Sequence, residues 1–363
     1  MFVNDVLSRA LGLRVMREAT LRASGMYARF DASRQINDKA ARVLDTIARH
    51  NGKVLTPALK RQADDYAIEI LGDIEYAPWL RVYAAMRGKF LEGWMPENFY
   101  HLVVVPKIIK NLADLTAMKS FSNLLLKTDA LPDIGYHIDG VFYDRDYRVI
   151  SRAEMAALAR PHGAVFVKGD GGGRGSKIRK VPADRLEDHE FIGDCALQRP
   201  IQPHPFFAQF GTGALATVRI ITLKTPAGAI EQRGAGVRFG LAGTEWLVSE
   251  KSVSVIILDG EGSFDEWGYV TELRAIAAHP DTGTPFAGKR IPHYAKAVEF
   301  CKALHARQPH YVIIGWDVAI NRDGGVELVE WNGGHGGITL PEAVTGPHFA
   351  DLGWERFAEK RAK

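Results

Sequence analysis

The run GWDVAINRDGGVELVEWN, Gly315 to Asn332, sets the tightest limit on the fold. Two apolar, β-prone segments flank an Asp323-Gly324 pair, the kind of pair that closes a two-residue hairpin because its backbone tolerates positive φ. Antiparallel pairing follows, which makes this an α+β chain and excludes a doubly wound parallel sheet. With that turn, Arg322 faces Gly325, Ile320 faces Glu327 and Asp317 faces Glu330. Two carboxylates then stand opposite each other, and at ~5 Å with an effective dielectric near 20 they repel by roughly 3 kcal/mol. Either a nearby Arg or Lys or one or two divalent cations would offset this. Asn332, two residues past Glu330, points to the same face and adds an amide oxygen. Asp317, Glu330 and Asn332 form an all-oxygen set that suits Mg²⁺, an ion that typically completes its octahedron with phosphate and water.

The rest of the chain divides by texture. Residues 1 to about 105 read as helical, with apolar residues at three-to-four spacing in QINDKAARVLDTIARH and LKRQADDYAIEILGDI. Between Ser8 and Phe30 lie Arg9, Arg14, Arg17, Arg22 and Arg29 with Glu18 as the only acid, a composition suited to a solvated helix face or to contact with an anionic membrane or partner surface. From about 106 onward short β-rich runs alternate with glycine and proline: AVFVKG, CALQ, ATVRIITL, GAGVRFGL, SVIILDG, YVIIGWDVAI and VELVEW. Helical patterns recur near 117 to 128, 151 to 160 and 292 to 306.

A length of 363 residues, 46% hydrophobic and 25% charged, is globular composition with enough chain for one large or two ordinary domains. The net charge of +3 is too small to argue for nucleic acid as a partner. Cys195 and Cys301 make no CxxC and no zinc pattern, which fits a reducing compartment. No apolar run approaches the ~20 residues of a spanning helix, and the N-terminus lacks a secretory h-region, so a cytoplasmic protein is expected. Nothing in the sequence fixes the oligomeric state.

A second candidate element is VFVKGDGGGRGSK. Lys168 ends a predicted strand, and Gly169, Gly171, Gly172, Gly173 and Gly175 follow, with Arg174, Ser176 and Lys177 among them. Such a loop lets backbone N–H groups approach a polyphosphate while the lysine supplies charge. Its register is not a Walker A loop, because Ser176 separates Gly175 from Lys177, and it is not a kinase loop, because there the glycines precede the lysine.

Strand lysine, glycine loop, then Asp, Glu and Asn in a D-x12-E-x-N arrangement resemble the ATP-grasp superfamily, which includes D-alanyl-D-alanine ligase. The runs ALQRPIQPHP, LATVRIITL and GWDVAINRDGGVELVEWNGGHGG look most like its sugar-transfer-associated branch, over roughly residues 106 to 345. The resemblance implies an ATP-grasp domain over 106–363, with a lid subdomain at about 130–198, a catalytic subdomain at about 199–345 and a helical tail, all preceded by the helical region 1–105. It implies ATP and Mg²⁺ as cofactors, Lys119 and Lys168 as phosphate lysines, and the loop Gly171, Gly172, Gly173, Arg174, Gly175 and Ser176 as a lid over the phosphates. Gln198, Arg199, Pro200 and Ile201 would form the adenine hinge. Arg219 and Arg238 would face phosphate or a developing acyl phosphate.

The chain departs from that pattern in two places. It reads LVSEKSVSV after the Arg238 strand, where relatives carry Asp-Asn and paired glycines, and Asn332-Gly-Gly-His335-Gly where they carry Asn-x-x-Pro-Gly. His335 is placed to touch the acceptor, to act as a base near neutral pH, or to cap its glycine loop. The implied activity is an ADP-forming carboxylate-amine ligase working on small molecules through an acyl phosphate. The rivals are a phosphotransferase acting on a sugar or alcohol, and a nucleotide-binding module without turnover.

Overall fold

The computed structural model describes Arg29 and residues 31–109, 112–171, 175–211 and 213–358. Of the arginine-rich N-terminal run, Arg9, Arg14, Arg17 and Arg22 lie outside the described residues. Among the described residues no helix is long and apolar enough to cross a membrane.

The first part is helical, as its periodicity predicts. After a helix over 31–50, the helix Pro57–Glu69 opens on Thr56, whose side chain accepts from Leu59 N–H, with proline in the first turn; it buries Leu59, Ala63 and Ala67 at four-residue spacing. Helix Ala77–Arg87 is buried nearly all round, including Trp79, Leu80 and Tyr83, and stops at Gly88, whose φ of 67° places it in the left-handed region. A further helical stretch from Glu97 to Ile108 widens into a π-turn at Tyr100–Val104. Such widened turns are frequent at functional sites.

Two antiparallel sheets follow. The smaller contains β1 (Asp133–Ile138), β2 (Val141–Asp144), β3 (Val149–Ile150), β4 (Ala164–Gly169), β5 (Ile178–Pro182) and β6 (Cys195–Gln198), in the order β3-β2-β1-β6-β4-β5. The larger contains β7 (Thr217–Lys224), β8 (Ile230–Gly240), β9 (Ser252–Ile257), β10 (Phe264–Val270), β11 (Arg274–Ile276), β12 (Ile313–Ile320) and β13 (Val326–Gly333), in the order β11-β10-β9-β8-β7-β12-β13. The larger sheet and the helical region share one apolar core, from Val43 and Trp79 to Val318 and Trp331. The smaller sheet has its own, built on Phe142, Met155, Val165 and Leu197. Cys195 and Cys301 are both buried and free.

The hairpin is antiparallel, but its turn is not the two-residue turn expected. Ile320 pairs with Val326 and Ala319 with Glu327, so the loop runs from Asn321 to Gly325. Asn321 closes it: its Oδ1 accepts from the N–H groups of Asp323 and Gly325, and Gly324 has a φ of 75°. The pairing slips by one residue between Val318 and Asp317, leaving Val329 unpaired as a bulge, and from there Asp317 does face Glu330. The longer loop and the bulge cancel, so the carboxylate pair arises at the expected register by a different route.

Candidate active site

A cleft of about 1560 Å³ lies where the smaller sheet, the larger sheet and the helical region meet. Its floor is a row of charges across three neighbouring strands: Arg219 on β7, Asp317 on β12 and Glu330 on β13 sit side by side. Arg219 holds Asp317 through two parallel bonds, Nε to Oδ1 and Nη2 to Oδ2, each 2.7 Å. Lys119 caps the row, with Nζ 2.9 Å from Glu330 Oε1. The like-charge conflict between Asp317 and Glu330 is therefore offset by two cations of the protein itself, and the juxtaposition alone does not demand a metal. Burial works against both charges of the Arg219–Asp317 pair, yet each partner more than offsets it: the Asp317 carboxyl is lowered and the Arg219 guanidinium raised.

The donor set still fits a hard cation. Asp317, Glu330 and Asn332 all line the cleft. Asn332 uses its amide nitrogen toward Gly315 O, at 3.5 Å, which leaves its oxygen available as an acceptor. The described residues hold no group of three or more His, Cys, Asp or Glu arranged for a metal. A cation here would rest on two carboxylates and an amide, with remaining positions for phosphate and water.

Lys168 ends β4 and reaches across the cleft, Nζ 3.3 Å from the carbonyl of Val329. That carbonyl is on the bulge residue, so the irregularity in β13 gives the lysine an anchor. Burial pushes its ammonium down to about 8, Glu330 opposes the shift and Lys119 adds to it. Arg238 on β8 also lines the cleft, and its guanidinium has no hydrogen-bond or ion-pair partner among the described residues. Burial lowers its pKa, Asp317 resists and Arg219 contributes. Of the two arginines, Arg219 is engaged and Arg238 is the one left to meet an anion.

The glycine loop and the turn carrying Lys119 are fastened together. Asp170 accepts from Ser120 N–H at 2.9 Å and from the Ser120 hydroxyl at 2.5 Å, while Gly171 N–H donates to Ala117 O at 3.0 Å. Lys177 is turned back onto Asp170 O at 2.6 Å. Gly172, Gly173 and Arg174 lie outside the described residues. Gly175, with φ of 78°, presses on Trp246, and a Cβ there would come within 2.9 Å of the indole. Ser176 is exposed next to it.

At the expected hinge, Gln198, Arg199, Pro200 and Ile201 all line the cleft, but part of their polarity is already used. Arg199 N–H donates to Pro132 O, and its side chain pairs with Glu327 at 2.8 Å. Gln198 donates to buried Asp133 at 2.7 Å, and Asp133 also accepts from Tyr136 OH at 2.8 Å. Tyr136 stacks on Tyr147, ring centres 4.5 Å apart, and Tyr147 OH bonds Ser120 O. The hinge and the Lys119 turn thus belong to one network.

His335 does not cap its own loop. Its Nδ1 lies 3.1 Å from Nδ1 of His101, in the π-turn of the helical region. The loop around it is held by others: Tyr100 OH donates to Gly334 O, Gly333 N–H donates to the Thr116 hydroxyl, and Arg219 reaches Gly336 O.

Residues 188–350 match the family described as sugar-transfer associated ATP-grasp. This part of the chain is ATP-grasp. The match takes in the hinge, Arg219, Arg238, Asp317, Glu330, Asn332 and His335. Lys119, Lys168 and the glycine loop precede it and join the ATP-grasp residues through the cleft. No curated protein matches the chain in sequence. Among solved structures the chain is similar to N5-carboxyaminoimidazole ribonucleotide synthetase of Thermotoga maritima, at 12% identity over 63% of this chain and 43% of that one, TM-score 0.32. It is similar to biotin carboxylase of Campylobacter jejuni, at 12% identity over 69% and 48%, TM-score 0.40. A third is D-alanyl-alanine synthetase A of Vibrio cholerae, at 11% identity over 77% and 70%, TM-score 0.37. The chain spans less than half the length of the first two.

Asp170, Ser120, Asp133, Tyr100 and His101 did not emerge from the sequence. Asp170 stood inside the glycine run, where its interruption of the glycines was a usable signal. The others lack a local pattern, since each acts on a residue more than 25 positions away or, like Asp133, lies buried at a strand start.

Proposed function

We propose that the protein is an ATP- and Mg²⁺-dependent ligase that phosphorylates a substrate carboxylate and passes the acyl group to an amine, releasing ADP and phosphate. The observation that carries this reading is the convergence on one cleft of two lysines, one unengaged arginine and the Asp317–Glu330–Asn332 row. Lys119 and Lys168 would hold the phosphates of ATP, with the glycine loop as part of a lid subdomain closing over them. Asp317, Glu330 and Asn332 would hold Mg²⁺, which when bound neutralises phosphate oxygens and orients them for in-line transfer. Arg219 fixes the Asp317 carboxylate in place. Arg238 would meet the substrate carboxylate and then the negative charge that develops on its carbonyl oxygen. Tight closure matters because an acyl phosphate hydrolyses if water enters.

A second reading, transfer of the phosphoryl group to a sugar or alcohol, is favoured by one feature. Ser252 and Ser254 of the departing LVSEKSVSV run line the cleft near Arg238, where they suit a hydroxyl-bearing substrate. A panel of carboxylic acids with Mg-ATP and hydroxylamine separates the two. The ligase reading expects ADP and a hydroxamate with the matching acid. A stable phosphorylated product that survives hydroxylamine decides for the phosphotransferase, and AMP with pyrophosphate rejects both.

A further inference from the structure

The helical region contributes more than packing to the cleft: Lys39, Glu97, His101 and Asp114 line one wall, opposite His335 and Thr339. Within this wall the two imidazoles lie with ring centres 5.0 Å apart, 29° from parallel, and touch through their Nδ1 atoms. Two Nδ1 atoms at hydrogen-bond distance must share a single proton, since two N–H groups would collide and two lone pairs would repel. With both rings neutral, the donor ring then has a bare Nε2 and the acceptor ring has an Nε2–H. Whichever way the proton lies, the couple offers one acceptor and one donor. The surroundings favour the neutral form: burial pushes His101 down to about 4, with His335 and Lys39 adding to the shift. His335 is more exposed, and the burial it does have lowers it too, against the pull of Asp114.

Resting on the ligase reading, we infer that this seam is the subsite of the incoming amine and that the His101–His335 couple takes up its proton. The nitrogen lone pair attacks the acyl carbon, a C–N bond forms, and the C–O bond to phosphate breaks with its electron pair leaving on phosphate. The N–H proton passes to the bare ring nitrogen. His335, on the glycine loop three residues past Asn332, is the catalytic member if its Nε2 is the bare one, and His101 is then the positioning residue that fixes its tautomer. His335 stands where the ATP-grasp pattern carries Pro, and the exchange gains its meaning here.

Side-chain nitrogen NMR on the full-length ¹⁵N-labelled protein tests the couple without turnover. At neutral pH the two rings are expected to show opposite single tautomers; in His101→Ala the His335 ring becomes a tautomer mixture, and His101→Asn, which can still bond Nδ1, restores one form. Equal tautomers in the parent protein, or a His335 signature unmoved by His101→Ala, overturn the proposal while leaving the ligase reading standing. With the acid found by the hydroxylamine screen, both His→Ala variants should lose transfer to ethanolamine by at least about tenfold more than transfer to hydroxylamine, whose less basic nitrogen sheds its proton after attack with less help from a base. Equal losses with the two nucleophiles overturn the proton-acceptor role.

Discussion

With its ammonium pushed down to about 8 by burial, Lys168 stands close to its titration point on the alkaline side of neutrality. Bound phosphates would favour the charged form and raise that value again. At pH 8.5 the free protein holds this lysine largely neutral, so binding of Mg-ATP takes a proton from the buffer; at pH 6.5 the lysine is already charged and no uptake occurs. Calorimetry in two buffers of different ionisation enthalpy should therefore show uptake approaching one proton at pH 8.5, and none from this group in Lys168→Met. Glu330 makes a different case. Glu330→Gln removes both the Lys119 ion pair and the repulsion toward Asp317, two partly exposed effects of opposite sign, so the melting temperature should move by no more than about 1 kcal/mol of stability implies. Turnover with Mg-ATP should nonetheless fall by roughly 100-fold or more. A variant that melts normally and works normally contradicts the metal assignment.

At the scale of elements, the clip between Asp170 and Ser120 ties the start of the glycine loop to the Lys119 turn. Asp170→Ala frees both, and limited proteolysis should then cut near 171–177 faster while ATP affinity drops by about tenfold, the scale of losing a charge-assisted bond pair. Unchanged cleavage would show that the clip does not hold the loop. The strands AVFVKG and CALQ were legible to the residue, because short apolar runs bounded by turn residues have few alternatives. DIGYHI and FDEWGYV were not singled out, since glycine and charge interrupt their alternation and neighbouring strands supply the pairing that makes them strands. The hairpin shows the limit of local reading. Asp323-Gly324 announced a turn, but Asn321 set its length through side-chain bonds, and a bulge at Val329 restored the register. The Asp317–Glu330 pair was legible; its partners Arg219 and Lys119 lie 98 and 211 positions away from them, and no spacing rule reaches that far.

Across the whole molecule, the helical region and the larger sheet share one core, and Glu342, on the helix Thr339–Thr345 that follows the sheet, is a buried polar joint to the helical region. Its carboxyl accepts from Met95 N–H at 3.0 Å and from His348 N–H at 2.6 Å, and its backbone carbonyl accepts from the Trp94 indole. Burial outweighs those two bonds and raises the carboxyl to about 8. A carboxyl raised on folding contributes stability that is complete below its unfolded value of about 4.5 and is lost as pH rises toward 8. Melting temperature should accordingly fall between pH 5 and pH 8.5, and the fall should flatten in Glu342→Gln even though that variant melts lower overall, having lost one acceptor. The same joint carries the wall with His101 to the loop with His335, so the amine subsite depends on both parts and not on the ATP-grasp segment alone. The central claim is that the γ-phosphoryl group of ATP is attacked by a carboxylate. Supplying the matching acid with both carboxylate oxygens as ¹⁸O, together with Mg-ATP and the amine, and analysing the released phosphate by mass spectrometry tests this directly: the account predicts one ¹⁸O in each inorganic phosphate formed, and unlabelled phosphate, or a phosphorylated product with no phosphate released, would contradict it.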